Sequence, residues 1–300
     1  MSYDSLTGQL NWNELNILSG EANAQATGWA AARASLREEE GPVGAVAASA
    51  LPLSGARRPS ERTDPLGKAN PQRPTTLDPV SNRYTHFEDE LVFELEVWQK
   101  MLAEGAVPEL VDDCYEAIHS RLLASLTNIY QNADNMNILA VRGGDNALEP
   151  LASAAHARID GGTEDNRNTL AFSAANVRTQ QSLLASQNKI IGEPGYFRPR
   201  YVIWGDKGAL DVVTGSPFAS SAYDINTGQG LIPIHLPGLT THWVLSAGPK
   251  PGGLMIEYAR GRRPYVMPPF ANNYGTVKIV FGVKFAFLCP SYHGLNFSAP

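Results

Sequence analysis

Cysteine is nearly absent from this chain: Cys114 and Cys289 are the two in 300 residues. Two thiols build no disulfide framework of the kind that holds small secreted domains together. Cys114 falls in a helical pattern and Cys289 at the end of a strand pattern, so both are expected as buried free thiols, consistent with folding in a reducing cytoplasm. Long apolar runs are also missing, and none approaches the roughly 20 residues that span a bilayer. The first ten residues are polar and lack the basic and apolar regions of a secretory signal. Excess positive charge is missing too. The net charge of −6 argues against a dedicated nucleic-acid binder, which would carry a basic face.

The motifs of familiar chemistry are absent as well. No phosphate-binding G-x-x-x-x-G-K-[ST] loop occurs, because Gly67-Lys68 is followed by Ala69. There is no G-x-S-x-G elbow and no H-E-x-x-H zinc pair. The six histidines, His86, His119, His156, His235, His242 and His293, are scattered without metal-ligand spacing and read as surface or satisfied core residues. No catalytic residue, metal ligand or cofactor site is assigned, and the expectation is a chain that is not an enzyme.

What is present is an ordinary globular balance, 43% apolar and 18% charged, long enough for one large or two modest domains. Residues 28–39 carry the Ala, Arg and Glu content of a helix. Residues 41–83 hold seven prolines and few large apolar side chains. Basic Arg57, Arg58, Arg62, Lys68, Arg73 and Arg83 there outnumber acidic Glu61, Asp64 and Asp78. Alone, such a segment cannot bury enough surface to offset its ordering entropy, so a neighbouring subunit is the simplest thing to hold it.

From Phe87 to Val97 apolar residues take one parity, while Glu88, Glu90, Glu94 and Glu96 take the other. That alternation predicts a strand with one wet face. A helix through Phe87, Leu91, Leu95 and Trp98 competes with it. Pro108 then opens the clearest helix, residues 108–131, with Val111, Tyr115, Ile118, Leu122, Leu126 and Ile129 on one face. The run Arg142-Gly143-Gly144-Asp145-Asn146 reads as a turn. A second helix is expected over 173–187, a buried strand at 201–204, and a short helix capped by Asp206 and stopped by Gly215. Strands follow at 242–246, 254–258 and 265–267. From Val277 to Cys289 every odd position is apolar, which predicts one long strand with a possible bend at Gly282. Phe281, Phe285 and Phe287 on it read as core.

Glu88, Asp89 and Glu90 read as a solvated strand face that discourages unwanted pairing. The sharpest basic cluster is Arg260, Arg262 and Arg263. It fits a solvated turn before Pro264; a phosphate contact and an inter-subunit salt bridge to the 88–96 acidic stretch are the other readings.

The order of these elements resembles the major capsid proteins of tailed bacteriophages, the Hong Kong 97-type α+β fold. The residues that carry it are the stretch from Arg198 through Tyr201-Val-Ile-Trp204 to Pro217, the run Leu254-Met-Ile-Glu-Tyr-Ala-Arg-Gly-Arg-Arg-Pro264, which is similar to Mu-like major head subunits, and Phe281-Gly-Val-Lys284. The resemblance covers about residues 83–300. It implies an N-terminal arm (1–50), an extended loop and its strands (51–98), a peripheral domain with a long spine helix (99–140), an axial domain (141–263) and return strands of the peripheral domain (264–300). It further implies a subunit that assembles with copies of itself, as hexamers and pentamers, into an icosahedral head around double-stranded DNA, in a virion built in the host cytoplasm. Arg57, Arg58, Arg62, Arg73, Glu88, Glu90, Glu94, Arg260, Arg262 and Arg263 are the subunit-contact candidates. Scaffold, portal and decoration proteins are the partners such a role brings; no membrane and no sequence-specific DNA contact are expected. Many members carry a long charged scaffolding segment that is not seen before this arm, which implies a separate scaffold or none. The acidic total suits a shell that must not grip its genome. A compartment shell of the encapsulin type, with protein cargo, is the alternative, and an enzyme whose site converges only in space is a further one.

Overall fold

A computed structural model of the chain describes residues 6, 10–42, 44, 46–49, 77–205, 231–240, 242–250, 253–271 and 275–299. In chain order the elements are helices α1 (Trp12–Ala26) and α2 (Trp29–Ala34), then strands β1 (Arg37–Gly41), β2 (Val46–Ser49), β3 (Val80–Arg83) and β4 (Thr85–Glu94). Helices α3 (Leu95–Glu104) and α4 (Val107–Gln131) follow. Five short strands come next: β5 (Ala140–Arg142), β6 (Leu148–Pro150), β7 (His156–Ala157), β8 (Thr163–Glu164) and β9 (Arg167–Asn168). After helix α5 (Ala174–Ser186) come β10 (Tyr201–Trp204), β11 (Ile232–His235), β12 (Trp243–Ser246) and β13 (Met255–Ala259). The chain closes with β14 (Tyr265–Val266), β15 (Phe270–Ala271), β16 (Thr276–Leu288) and β17 (Leu295–Ser298).

The spine helix α4 forms where the apolar stripe requires it. Val111, Tyr115, Ile118, Leu122, Leu126 and Ile129 are all buried along it. Pro108 sits in its first turn, where a missing N–H costs nothing, and Glu109 there complements the helix dipole. At about 1.5 Å per residue, 25 residues reach about 37 Å.

The long strand β16 is the axis of the larger sheet. Along one edge it pairs antiparallel with β4, from Thr276↔Glu94 to Phe285↔Thr85. The other edge takes β13, β14 and β15 in turn, and β1 adds parallel to β13. Gly282 does not interrupt the strand. It lies between Tyr265 and Glu88 in the ladder, and a Cβ there would stand 2.3 Å from the Phe87 carbonyl oxygen. The glycine serves close backbone approach rather than a break.

Two sequence expectations are corrected here. The helix expected over 28–39 stops at Ala34, and residues 37–41 become β1. Arg37-Glu-Glu-Glu is acceptable helix sequence, but its pairing with β13 overrides propensity. The strand expected over 87–97 ends at Glu94, and Leu95 begins α3. The helical turn carries Trp98 fully into the core and leaves Val97 about half exposed. The short helix expected from Asp206 lies outside the described residues.

A second sheet, in order β11-β10-β12-β17-β9, forms a smaller module. Helix α5 is capped by Ser173, whose side chain accepts from the Asn176 amide, and ends at Gln187. The helix docks on β17 through amides: Gln180 Nε2 donates to the Asn296 carbonyl (2.8 Å) and Gln187 Nε2 to that of Leu295 (3.1 Å). The main core joins Trp12, Trp29, Leu36 and Trp98 to the stripe of α4 and the inner face of β16. Residues 1–50 thus contribute two buried tryptophans to the same core as the spine helix. Cys114 and Cys289 are buried free thiols, and burial pushes the Cys114 thiol up to about 12. Phe285 and Phe287 are buried and Phe281 packs against the same core.

Candidate assembly surface

Strands β2 and β3 make an antiparallel stem in which Ser49 faces Val80 and Val46 faces Arg83. Ala47 and Val80 seat it on Met255, Ala286 and Leu288, and Asn82 Nδ2 donates to the Phe287 carbonyl (3.1 Å). The stem brackets residues 51–76. Arg57, Arg58, Arg62 and Arg73 belong to that segment and lie outside the described residues. At the foot of the stem, Leu77 packs on Ile190. Asn146, at the tip of the β5–β6 turn, clamps Asp78 from both sides: its Oδ1 accepts from the Asp78 amide (2.9 Å) and its Nδ2 donates to the Asp78 carboxylate (2.7 Å). Its left-handed backbone, φ 68°, is the conformation asparagine tolerates in such turns. Arg142 secures that turn by donating to the Asn146 carbonyl (2.7 Å). The residues flanking the 51–76 segment are therefore tied to the β5–β6 turn and to Ile190.

The wet face of β4 behaves as its alternation predicts: Glu88, Glu90 and Glu94 are exposed. Glu88 gathers the most partners. The Tyr265 hydroxyl donates to it, and His86 (3.4 Å) and Arg262 (3.5 Å) approach the same oxygen. The Tyr265 hydrogen bond foremost, helped by His86 and Arg262, holds the Glu88 carboxyl below its ordinary range against the opposing effect of burial. Lys278 pairs with Glu90 at 3.0 Å across the ladder. Arg263 lies 3.8 Å from Glu38 and over the Tyr258 ring. Arg260 is exposed. Folding thus brings Glu88 and Arg262 together within one chain, while Glu94 and Arg260 stay apart from that pair. Exposed ion pairs of this kind contribute little to the subunit's own stability.

One constellation has no signature in sequence. His156 is fully buried; its Nδ1 faces Glu149 Oε2 at 2.7 Å and its Nε2 faces Asn166 Oδ1 at 3.0 Å. Asn166 is oriented by the Ser153 amide and the Leu151 carbonyl, and the ring stacks on Tyr292 at 4.5 Å. A carboxylate–histidine pair is the start of a catalytic triad. Here an amide oxygen occupies the position of the nucleophile, and no solvent reaches the ring. The arrangement ties β6, β7 and the loops before β9 and β17 together. Sequence separations of 7 and 10 residues in irregular chain gave no periodicity by which to find it. Among the described residues, no group of three or more His, Cys, Asp or Glu side chains is placed to hold a metal ion. Among them too, no helix is long and apolar enough to cross a membrane.

No family model matches this sequence, and no curated protein does. Solved structures do match. A virus-like particle from Pyrococcus furiosus superposes with a TM-score of 0.53 at 9% identity, covering 92% of this chain and 96% of that one. The capsid of cyanophage P-SCSP1u gives 0.52 at 7% identity, covering 88% and 86%. The chain has the mixed α+β architecture of Hong Kong 97-type capsid proteins.

Proposed function

We propose that this chain is a shell subunit that assembles with copies of itself into a closed icosahedral particle, and that the particle is the head of a tailed bacteriophage enclosing double-stranded DNA. The observation that carries the reading is the fold, spanning nearly the whole chain, shared with proteins described as a virus-like particle and a phage capsid. The proline-rich 51–76 segment supports it: it is bracketed by the β2–β3 stem and its sequence has too little apolar surface to order by itself. In this reading the segment reaches a neighbour, and Arg57, Arg58, Arg62 and Arg73 meet the acidic face of that neighbour's β4, with Glu88, Glu90 and Glu94. Arg260, Arg262 and Arg263 supply further contacts at the end of β13. Residues 99–140 and 264–300 form the rigid peripheral middle, 141–263 the axial domain, and 1–50 an arm anchored by Trp12 and Trp29. Many modest contacts repeated by symmetry close the shell. A scaffold, portal or decoration protein would act on this shell from outside the chain.

Negative-stain electron microscopy of the purified protein tests the reading. Closed particles tens of nanometres across are expected; a monomer that stays monomeric under crowding or with co-expressed scaffold sinks it. Nuclease-protected DNA inside the particles identifies a genome head, whereas co-purifying protein cargo identifies a compartment of the encapsulin type.

A further inference from the structure

Helix α1 is held by Trp12 and Ala24, buried in the main core, and by polar contacts to the spine helix and to β14. The Tyr115 hydroxyl donates to Asn16 Oδ1 (3.2 Å) and Asn23 Nδ2 to Asp112 Oδ1 (3.2 Å). Trp12 and Asn16 both donate to the Val266 carbonyl at 3.0 Å. Only Trp12, Ser19 and Ala24 of this helix are buried, and Ile17 and Leu18 face solvent. Gly28, at φ 81°, separates α1 from α2 and gives the pair a hinge.

Beneath α1 lies a cleft of about 480 Å³ between α1, α2, α4 and the β13–β14 edge. His119 of α4 lines it and is 3% exposed, and its Nδ1 has no hydrogen-bond partner. We infer that His119 makes the docking of α1 acid-labile, so that protonating this side chain releases α1 from the spine helix.

The surroundings explain why a cation is not tolerated there. Arg33 of α2 and Arg263 face the same cleft. Glu38 of β1, on the same cleft, is already shared by both, at 3.4 and 3.8 Å. Glu21 lies on α1 itself, so it leaves with the helix. Tyr115 and Tyr265 are pushed up to about 12 by burial, and Tyr258 is pushed up as well, so the tyrosines carry no countercharge. Burial first, then Arg33, depress His119 to about 4, against a smaller opposing pull from the Asn23 backbone. A second N–H at Nδ1 would have no acceptor, and swinging α1 outward about Gly28 admits water to it.

The sign follows from linkage. With α1 lifted, His119 loses burial and moves back toward its ordinary value of 6.5, with Arg33 of α2 still beside it. The released form therefore binds the proton more tightly between about pH 6.5 and 4. Docking is fully favoured above that window and weakens as pH falls through it. The released-to-docked ratio rises by up to about tenfold per pH unit, and by at most roughly 300-fold across the window.

Hydrogen exchange of the purified full chain between pH 7 and 4, expressed as protection factors corrected for intrinsic rates, tests this. Residues 12–26 are expected to lose protection while α4 and β16 keep theirs. In His119→Gln the protection of α1 should stay flat through the window. Arg33→Gln, at a half-exposed position that leaves the core intact, removes a repulsion on the docked cation and should move the loss to lower pH. Constant α1 protection in the parent chain, the parent profile persisting in His119→Gln, an unmoved midpoint in Arg33→Gln, or loss of α1, α4 and β16 together would each overturn the inference.

Discussion

Single residues decide more here than their number suggests. Gly282 is one glycine among many in the sequence, yet it has backbone on both sides. Gly282→Ala is expected to force β4 and β16 apart and to cost about 1–3 kcal/mol, as overpacking typically does. A lowered urea midpoint at unchanged slope checks it. Asn166 is the second such residue. It is fully buried and serves the Ser153 amide, the Leu151 carbonyl and His156 at once. Asn166→Ala leaves these groups unpaired, and each stranded polar group costs about 1–3 kcal/mol. A thermal shift as small as that of an exposed control such as Asn137→Ala would refute that role. Gly282 was readable as a special position, and the alternation around it was too. Asn166 was not, because its partners meet only after three loops have folded.

At the scale of elements, legibility followed periodicity. Helix α4 was bounded to within one residue, because a 3.6-residue stripe and a first-turn proline agree. Helix α5 was bounded as closely by its serine cap. Strand β16 declared itself through seven odd apolar positions in a row. The failures came where local preference and tertiary pairing disagree. Residues 37–41 are charged helix formers drawn into a strand by β13. Residues 95–98 extend the alternating pattern of β4, but Trp98 reaches the core only from a helix, where it donates to the Leu6 carbonyl at 2.8 Å. Because α4 carries the stripe on which α1, α2 and the larger sheet converge, Leu122→Ala, at a fully buried position, is expected to cost about 2–5 kcal/mol. Leu148→Ala, at a half-exposed site, should cost far less. Guanidinium denaturation of the pair measures the contrast, and similar losses would show that α4 is not the hub.

For the whole molecule, the stem of β2 and β3 lets the proposed assembly role of residues 51–76 be tested apart from folding. Ser49 and Val80 already face each other, so a short Gly-Ser turn can replace residues 51–76 without opening the ladder. The shortened chain is expected to keep the parent's unfolding midpoint and to form no closed particles. Normal shells from it would remove the proposed role of the segment. Removing all of residues 1–80 is a poorer experiment, because Trp12, Trp29 and strand β1 belong to the subunit's own core and sheet.

The sequence by itself determined the long helix, the long closing strand, the acidic strand face and the absence of familiar catalytic motifs. These depend on local periodicity and composition, which a chain carries before it folds. Only the tertiary structure decided that Glu88 meets Arg262 inside one subunit, that β1 joins the sheet, and that His119 is buried beside α1 and Arg33. Those features depend on contacts between residues 174 to 221 positions apart, or on burial that no local pattern encodes.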